Sequence, residues 1–190
     1  MAQTELNFEE LLETLKVAAA ALRDADVPFV LGGGLAIWAR GGPETEHDVD
    51  FFVKPEDAER AWKALEEAGF RTEDPPEAWL YKGFLGNVMV DLIYAPSGLT
   101  IDDEFLERAE TLEVHALRMR VMSADDVLVA KLLAMREHQV DYDQVLELAR
   151  SVREQIDWDE VRERTSESPF AKAFFTLVDE LGVSASPARE

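Results

Sequence analysis

The chain has no cysteine among its 190 residues, which excludes disulfides and thiolate-bound metals as sources of stability or chemistry. It has no apolar run near the roughly 20 residues that cross a bilayer as a helix. Its opening residues, Met1-Ala2-Gln3-Thr4-Glu5-Leu6, lack the basic end and apolar block of a secretory leader, so a cytoplasmic protein is expected. Basic residues are scarce, 19 against 40 acidic ones, for a net charge of -21. Such a surface repels a phosphate backbone and disfavours a long polynucleotide partner, although solubility or a salty cytoplasm explains the same charge. Apolar residues make up 47% and charged residues 31%, a soluble globular composition with enough chain for one full-sized core or a core and a smaller companion.

The apolar pattern alternates between helical and extended periods over the first two thirds. Residues 7–23 carry apolar side chains at near-helical spacing behind Asn7, a suitable cap. Residues 27–31 form a short apolar strand ended by Gly32-Gly33-Gly34, and residues 35–39 suit a helix that stops at Gly41-Gly42-Pro43. A second strand is expected over 48–53. A helix follows through residue 68, opened by Lys54-Pro55-Glu56-Asp57 and closed by Gly69. Beyond the break Asp74-Pro75-Pro76, a third strand is expected around Trp79-Leu80-Tyr81 and a fourth over 87–94, with a hairpin or strand pair over 112–121. From Ser123 the pattern turns helical, with helices expected over 127–137, 141–152, 157–164 and 169–181 and a frayed tail over 184–190. The expected division is an α/β core over 1–122 and a helical region over 123–190 packed on it.

Three acids stand out in this frame. Asp48 and Asp50 sit two apart on the second strand, so they share a face while Val49 takes the other. Asp91 lies in Val88-Met89-Val90-Asp91-Leu92-Ile93, where a carboxylate is costly unless its charge is used. Acids gathered beside a glycine turn that opens a helix suit hard divalent cations and a polyphosphate. Phosphoryl and nucleotidyl transfer need charge neutralisation and in-line positioning more than covalent help, and two magnesium ions about 3.5–4 Å apart supply both.

The turn Gly33-Gly34, the pair Asp48-Val49-Asp50 and the strand aspartate Asp91 together resemble the DNA polymerase β-like nucleotidyltransferase superfamily. The likeness is to its small bacterial branch, which includes lincosamide-type antibiotic enzymes and abortive-infection toxins. The resemblance covers about residues 25–150 and includes a lysine-bearing helix, Leu128-Val129-Ala130-Lys131-Leu132-Leu133. It implies an α+β fold, a mixed sheet flanked by helices with a helical C-terminal half. It implies Asp48, Asp50 and Asp91 as catalytic metal ligands, with Asp91 also a base, for two Mg²⁺ ions, with Mn²⁺ as the alternative. Gly33, Gly34 and Lys131 would hold a nucleoside triphosphate such as ATP. The reaction implied is transfer of a nucleoside monophosphate to a hydroxyl, with release of pyrophosphate. The sequence departs from the family pattern at two places: no serine follows the first glycine of the turn, and Glu46-His47 precedes the acid pair.

With a surface this acidic, the expected acceptor is a small molecule or a protein rather than a polynucleotide. Two alternatives stand beside that reading: a toxin-type enzyme acting on transfer RNA, and a non-catalytic nucleotide- or partner-binding protein on the same scaffold. Acceptor, preferred base, oligomeric state and biological role are not written in the sequence. Trp79, Tyr81 and Lys82 are candidates for an acceptor or base pocket, against an ordinary core role. Lys131 has the alternative of snorkelling from its apolar helix. His47 should face away from Asp48, while His138, Asp141 and Tyr142 read first as a solvated helix connection. His115, Phe170, Phe174 and Phe175 read as structural.

Overall fold

A strand that must bury one face and carry acids on the other needs neighbours on both edges, and a seven-stranded mixed sheet provides them. The computed structural model describes residues 7–45 and 48–184. Glu46, His47, the first six residues and the tail beyond residue 184 lie outside the described residues. In chain order the strands are β1 (Phe29–Leu31), β2 (Val49–Val53), β3 (Arg71–Glu73), β4 (Leu80–Leu85), β5 (Val88–Ile93), β6 (Glu110–Val114) and β7 (Leu117–Val121). They assemble in the order β3-β4-β5-β2-β1-β7-β6. β2 lies between β1, antiparallel to it, and β5, parallel to it, so the three strands expected to be neighbours are neighbours.

The helices are α1 (Phe8–Asp24), α2 (Gly33–Ala39), α3 (Ala58–Glu67), α4 (Asp103–Arg108), α5 (Ala124–Ala134), α6 (Tyr142–Ser151), α7 (Trp158–Arg164) and α8 (Pro169–Glu180). Most begin where a side chain can satisfy a free N–H: Asn7, Asp102, Ser123, Asp141, Asp157 and Ser168 each accept from the first turn of the helix they precede. Helices α1 and α3 pack on one face of the sheet. Tyr81 stacks on Trp62 of α3 with ring centres 5.2 Å apart, and a β-carbon on Gly83 would sit 3.0 Å from Leu65. Residues alternate along β4, so Lys82 faces the opposite side.

Helix α5 is apolar nearly all round, with Ala124, Val127, Leu128, Val129 and Leu132 buried, and such a helix belongs inside other helices. It touches α2, α6, α7 and α8. Its first turn carries the buried Asp126, paired with Arg164 of α7 at 2.5 Å and Arg108 of α4 at 3.5 Å. A buried carboxylate is kept only with such partners. Among the described residues no helix is long and apolar enough to cross a membrane.

The structure corrects several expectations. The first strand starts at Phe29 rather than residue 27, and Asp48 stands just before β2 rather than in it. The third expected strand is β4, an unexpected short strand β3 precedes the Asp74-Pro75-Pro76 break, and α5 ends at Ala134 rather than residue 137. Helix α4 was not anticipated. It is six residues long, with Phe105 packed against Phe52 at 5.8 Å between ring centres.

Candidate active site

The glycine turn is fixed by the strands it joins. The N–H of Gly32 donates to the Asp50 carbonyl at 2.8 Å, tying the turn to the acid-bearing strand. Gly33 adopts φ +57°, a left-handed conformation that glycine takes without cost. A β-carbon on Gly33 would fall inside the Asp50 carboxylate, so the glycine makes the room in which Asp50 stands.

The register of β2 and β5 does the rest. Asp50 pairs directly with Asp91 across the parallel ladder, so both carboxylates project from the same face. One oxygen from each of Asp48, Asp50 and Asp91 lies within 4.8 Å of the others. Asp91 is 7% exposed and is matched across the β4–β5 ladder with Lys82, whose Nζ is 3.2 Å from Asp91 Oδ1. The same ammonium lies 3.2 Å from Met89 Sδ.

Beside the acids opens a cleft of about 600 Å³, walled by Gly34, Thr45, Asp48, Asp50, Lys131, Gln144 and Glu147, among others. Asp91 adjoins the two cleft-lining aspartates and is held by Lys82. Lys131 reaches the cleft from α5, with Nζ 3.1 Å from Gln144 Oε1 of α6. The structure therefore brings the predicted Gly34, Asp48, Asp50 and Lys131 to one cavity, and sets Gly33 and Asp91 against Asp50. Three hard oxygen donors this close, two on paired strands and one just before β2, fit divalent cations of the magnesium type, which prefer carboxylate oxygens at about 2.0–2.1 Å.

The other candidates fall elsewhere. Tyr81 and Trp79 belong to the α3 side and the packed interior. Asp141 caps α6, and the Tyr142 hydroxyl donates to the Phe170 carbonyl at 2.9 Å, so both hold the helical region together. His138 is exposed in the turn between Arg136 and Gln139. His115 sits in the β6–β7 turn, and Phe174 and Phe175 are buried. Thr45, Gln144 and Glu147 line the cleft without having been singled out in the sequence, because only the packing of α6 and of the loop before β2 puts them there.

Crowding of like charges marks the cluster. Burial raises the Asp50 carboxyl to about 8, with the Asp48 charge adding to the rise and Lys131 opposing it. Burial also raises Asp91, opposed by Lys82. Without metal, the native protein keeps protons here that the unfolded chain releases above its ordinary value of 3.8. The resulting stabilisation is complete below that value and is lost as the pH rises through about 8. Urea unfolding in chelator should therefore show wild type losing stability relative to Asp50→Asn between about pH 4 and 8. A stability difference that does not change with pH would contradict the assignment of that strain to Asp50.

A mixed sheet flanked by helices, with an acid cluster at the mouth of a glycine turn, defines a nucleotidyltransferase fold. The family described as "uncharacterised nucleotidyltransferase" matches residues 2–179, and the chain belongs to it; it is a transferase enzyme. Among solved structures, the antibiotic-resistance factor ANT(2'')-Ia in solution is 18% identical, with a TM-score of 0.67 over 92% of this chain and 98% of that one. The same protein in complex with adenylyl-2''-tobramycin is 15% identical, with a TM-score of 0.61 over 87% and 97%. The lincosamide antibiotic adenylyltransferase LnuA, lincomycin-bound, is 12% identical, with a TM-score of 0.52 over 76% and 96%. These likenesses establish the fold. No curated protein matches the chain.

Proposed function

We infer that the cleft transfers a nucleoside monophosphate from a nucleoside triphosphate to a hydroxyl of a small-molecule or protein acceptor. The observation that carries this reading is the convergence of Asp48, Asp50 and Asp91 within 4.8 Å beside a cleft that also presents Gly34 and Lys131. Asp48 and Asp50 would serve both magnesium ions and Asp91 one of them. Ions held there would supply charge neutralisation of the triphosphate and of the pyrophosphate leaving group. Gly33 and Gly34 turn backbone amides toward the triphosphate, and Lys131 offsets its charge. The acceptor oxygen forms a bond to the α-phosphorus as the bond to the β-phosphate oxygen breaks, and Asp91 takes the hydroxyl proton. Residues 1–122 serve as the catalytic core, and residues 123–190 close the cleft through Lys131, Gln144 and Glu147. The cytoplasm is the expected setting.

A small-molecule or protein acceptor is favoured over a polynucleotide by the net charge of -21, and two structural relatives are described with adenylyl-2''-tobramycin and with lincomycin. Magnesium with a non-hydrolysable triphosphate at a hundred times its Kd should stabilise wild type by about 2.7 kcal/mol, a rise in Tm of roughly 5–10 °C. The Asp48→Asn protein should show no such rise, and an equal rise would overturn the assignment. Triphosphate binding without turnover would favour the non-catalytic alternative. Sub-micromolar binding of transfer RNA near 0.15 M salt, where surface charges are screened within about 8 Å, would instead favour the transfer-RNA reading.

A further inference from the structure

Beyond Asp91 the sheet carries a row of side chains that the site described above leaves unused. Lys82 pairs with Asp91 and Phe84 with Met89 across the β4–β5 ladder, and Arg71 pairs with Phe84 across β3–β4, so these side chains share the face of Asp91. The contacts agree. Lys82 Nζ lies 3.2 Å from both Asp91 Oδ1 and Met89 Sδ, and the Arg71 guanidinium lies 4.2 Å from the centre of the Phe84 ring. Among the described residues α3 is the helix that packs extensively on β3 and β4, and it takes the opposite face, where Tyr81 stacks on Trp62. Phe84 and Met89 are half-buried and stand outside the hydrophobic core. A ring and a thioether side by side, bordered by charged groups, form a small apolar platform next to the acid that serves as base.

We propose that this platform selects the acceptor: a small hydroxyl compound with an apolar body and no cationic group. The inference rests on the nucleotidyltransferase reading given above and names the substrate class for that site. In that reading Asp91 takes the proton of the acceptor hydroxyl, so the hydroxyl must come within hydrogen-bond reach of Asp91. In-line displacement sets the acceptor oxygen on the side of the α-phosphorus away from the departing pyrophosphate, whose end of the nucleotide lies at Gly33, Gly34 and Lys131. The strands beyond Asp91 from β2 are β4 and β3, and the body of the acceptor falls to them. The first group it meets there is the Lys82 ammonium, and next come Met89 and Phe84. Arg71, the second cation, is held on the Phe84 ring and paired with Glu73. An amine-rich acceptor would set its ammonium groups against Lys82, whose counter-charge on Asp91 then serves the metal. An uncharged or carboxylate-bearing acceptor avoids that repulsion, and a carboxylate gains Lys82 as a partner. Selection is thus made by repulsion as well as by fit.

The test uses three p-nitrophenyl sugars that share one apolar body and differ only in charge: the β-glucoside, the β-glucuronide and the 6-amino-6-deoxy-β-glucoside. Each is titrated at pH 7, by ligand-observed NMR, into full-length protein loaded with Mg²⁺ and α,β-methylene-ATP. Wild type is compared with Phe84→Ser and Lys82→Met, each checked for an unchanged circular dichroism spectrum and for nucleotide binding. Wild type should bind the glucoside and the glucuronide, and the amino sugar about tenfold more weakly, as expected for a like charge set beside Lys82. Phe84→Ser should weaken the glucoside about fivefold through lost apolar contact while its affinity for the nucleotide stays that of wild type. Lys82→Met should bring all three sugars within about threefold of one another, because the charge that sorts them is gone. An amino sugar bound by wild type as tightly as the glucuronide would overturn the proposal. So would wild-type affinity for the glucoside in Phe84→Ser, or nucleotide-loaded wild type that binds none of the three. Wild type that binds no nucleotide would overturn the nucleotidyltransferase reading first, and this inference with it.

Discussion

Asp50→Asn should lower nucleotidyl transfer by a thousandfold or more while leaving a folded protein. Asp50 is the central acid of the cluster: its backbone holds the glycine turn, its carboxylate lies over Gly33, and its strand partner is Asp91. Metal stabilisation of a phosphoryl transition state is worth several kcal/mol, and each ~1.4 kcal/mol is tenfold in rate. The amide keeps the volume and removes the charge, so the metal-free variant should be at least as stable as wild type above about pH 8, where Asp50 is ionised and crowded by Asp48 and Asp91. Turnover measured beside urea unfolding separates the two effects. A variant that loses activity and stability together would show that Asp50 serves packing rather than catalysis.

Gly33→Ala should cost about a hundredfold in turnover, the penalty for displacing a catalytic group by about an ångström. Two effects combine at this position. The left-handed φ of +57° disfavours any side chain by roughly 1–2 kcal/mol, and the new methyl group would occupy the place of the Asp50 carboxylate. Gly86, in the turn between β4 and β5, separates them: its φ is +60° and no atom stands within 4 Å of where its β-carbon would go. Gly86→Ala should therefore lose only the roughly 1–2 kcal/mol of backbone strain and keep wild-type turnover. Equal losses of turnover in the two variants would mean that backbone strain, rather than the position of Asp50, sets the activity.

What could be read from the sequence was what short-range chemistry dictates. The glycine turn, the acid pair two residues apart and an aspartate in an apolar strand each declare themselves by residue type and spacing, and the structure brings their side chains together. The helical region was similarly legible from its apolar spacing and from Ser123, whose side chain caps α5, while the caps made by Asp141, Asp157 and Ser168 emerge from the structure. Strand β3 was hidden because Arg71-Thr72-Glu73 pairs only with β4 at the sheet's edge and shows no apolar alternation. Helix α4 escaped because six residues hold fewer than two helical turns. The pairing of Lys82 with Asp91 depends on the β4–β5 register, and the approach of Thr45 to Gly34 depends on where a loop folds back. Neither distance is encoded by spacing along the chain.

The most direct measurement follows the two ends of the triphosphate separately. Wild type and Asp50→Asn are incubated with magnesium, a cell extract and ATP labelled either at the α- or at the γ-phosphate, and the products are resolved. The account predicts that the α-label appears on an acceptor in the wild-type reaction while the γ-label leaves in pyrophosphate, and that the variant gives neither. Transfer of the γ-label to an acceptor by wild type, or equal α-labelling by the Asp50→Asn protein, would contradict it.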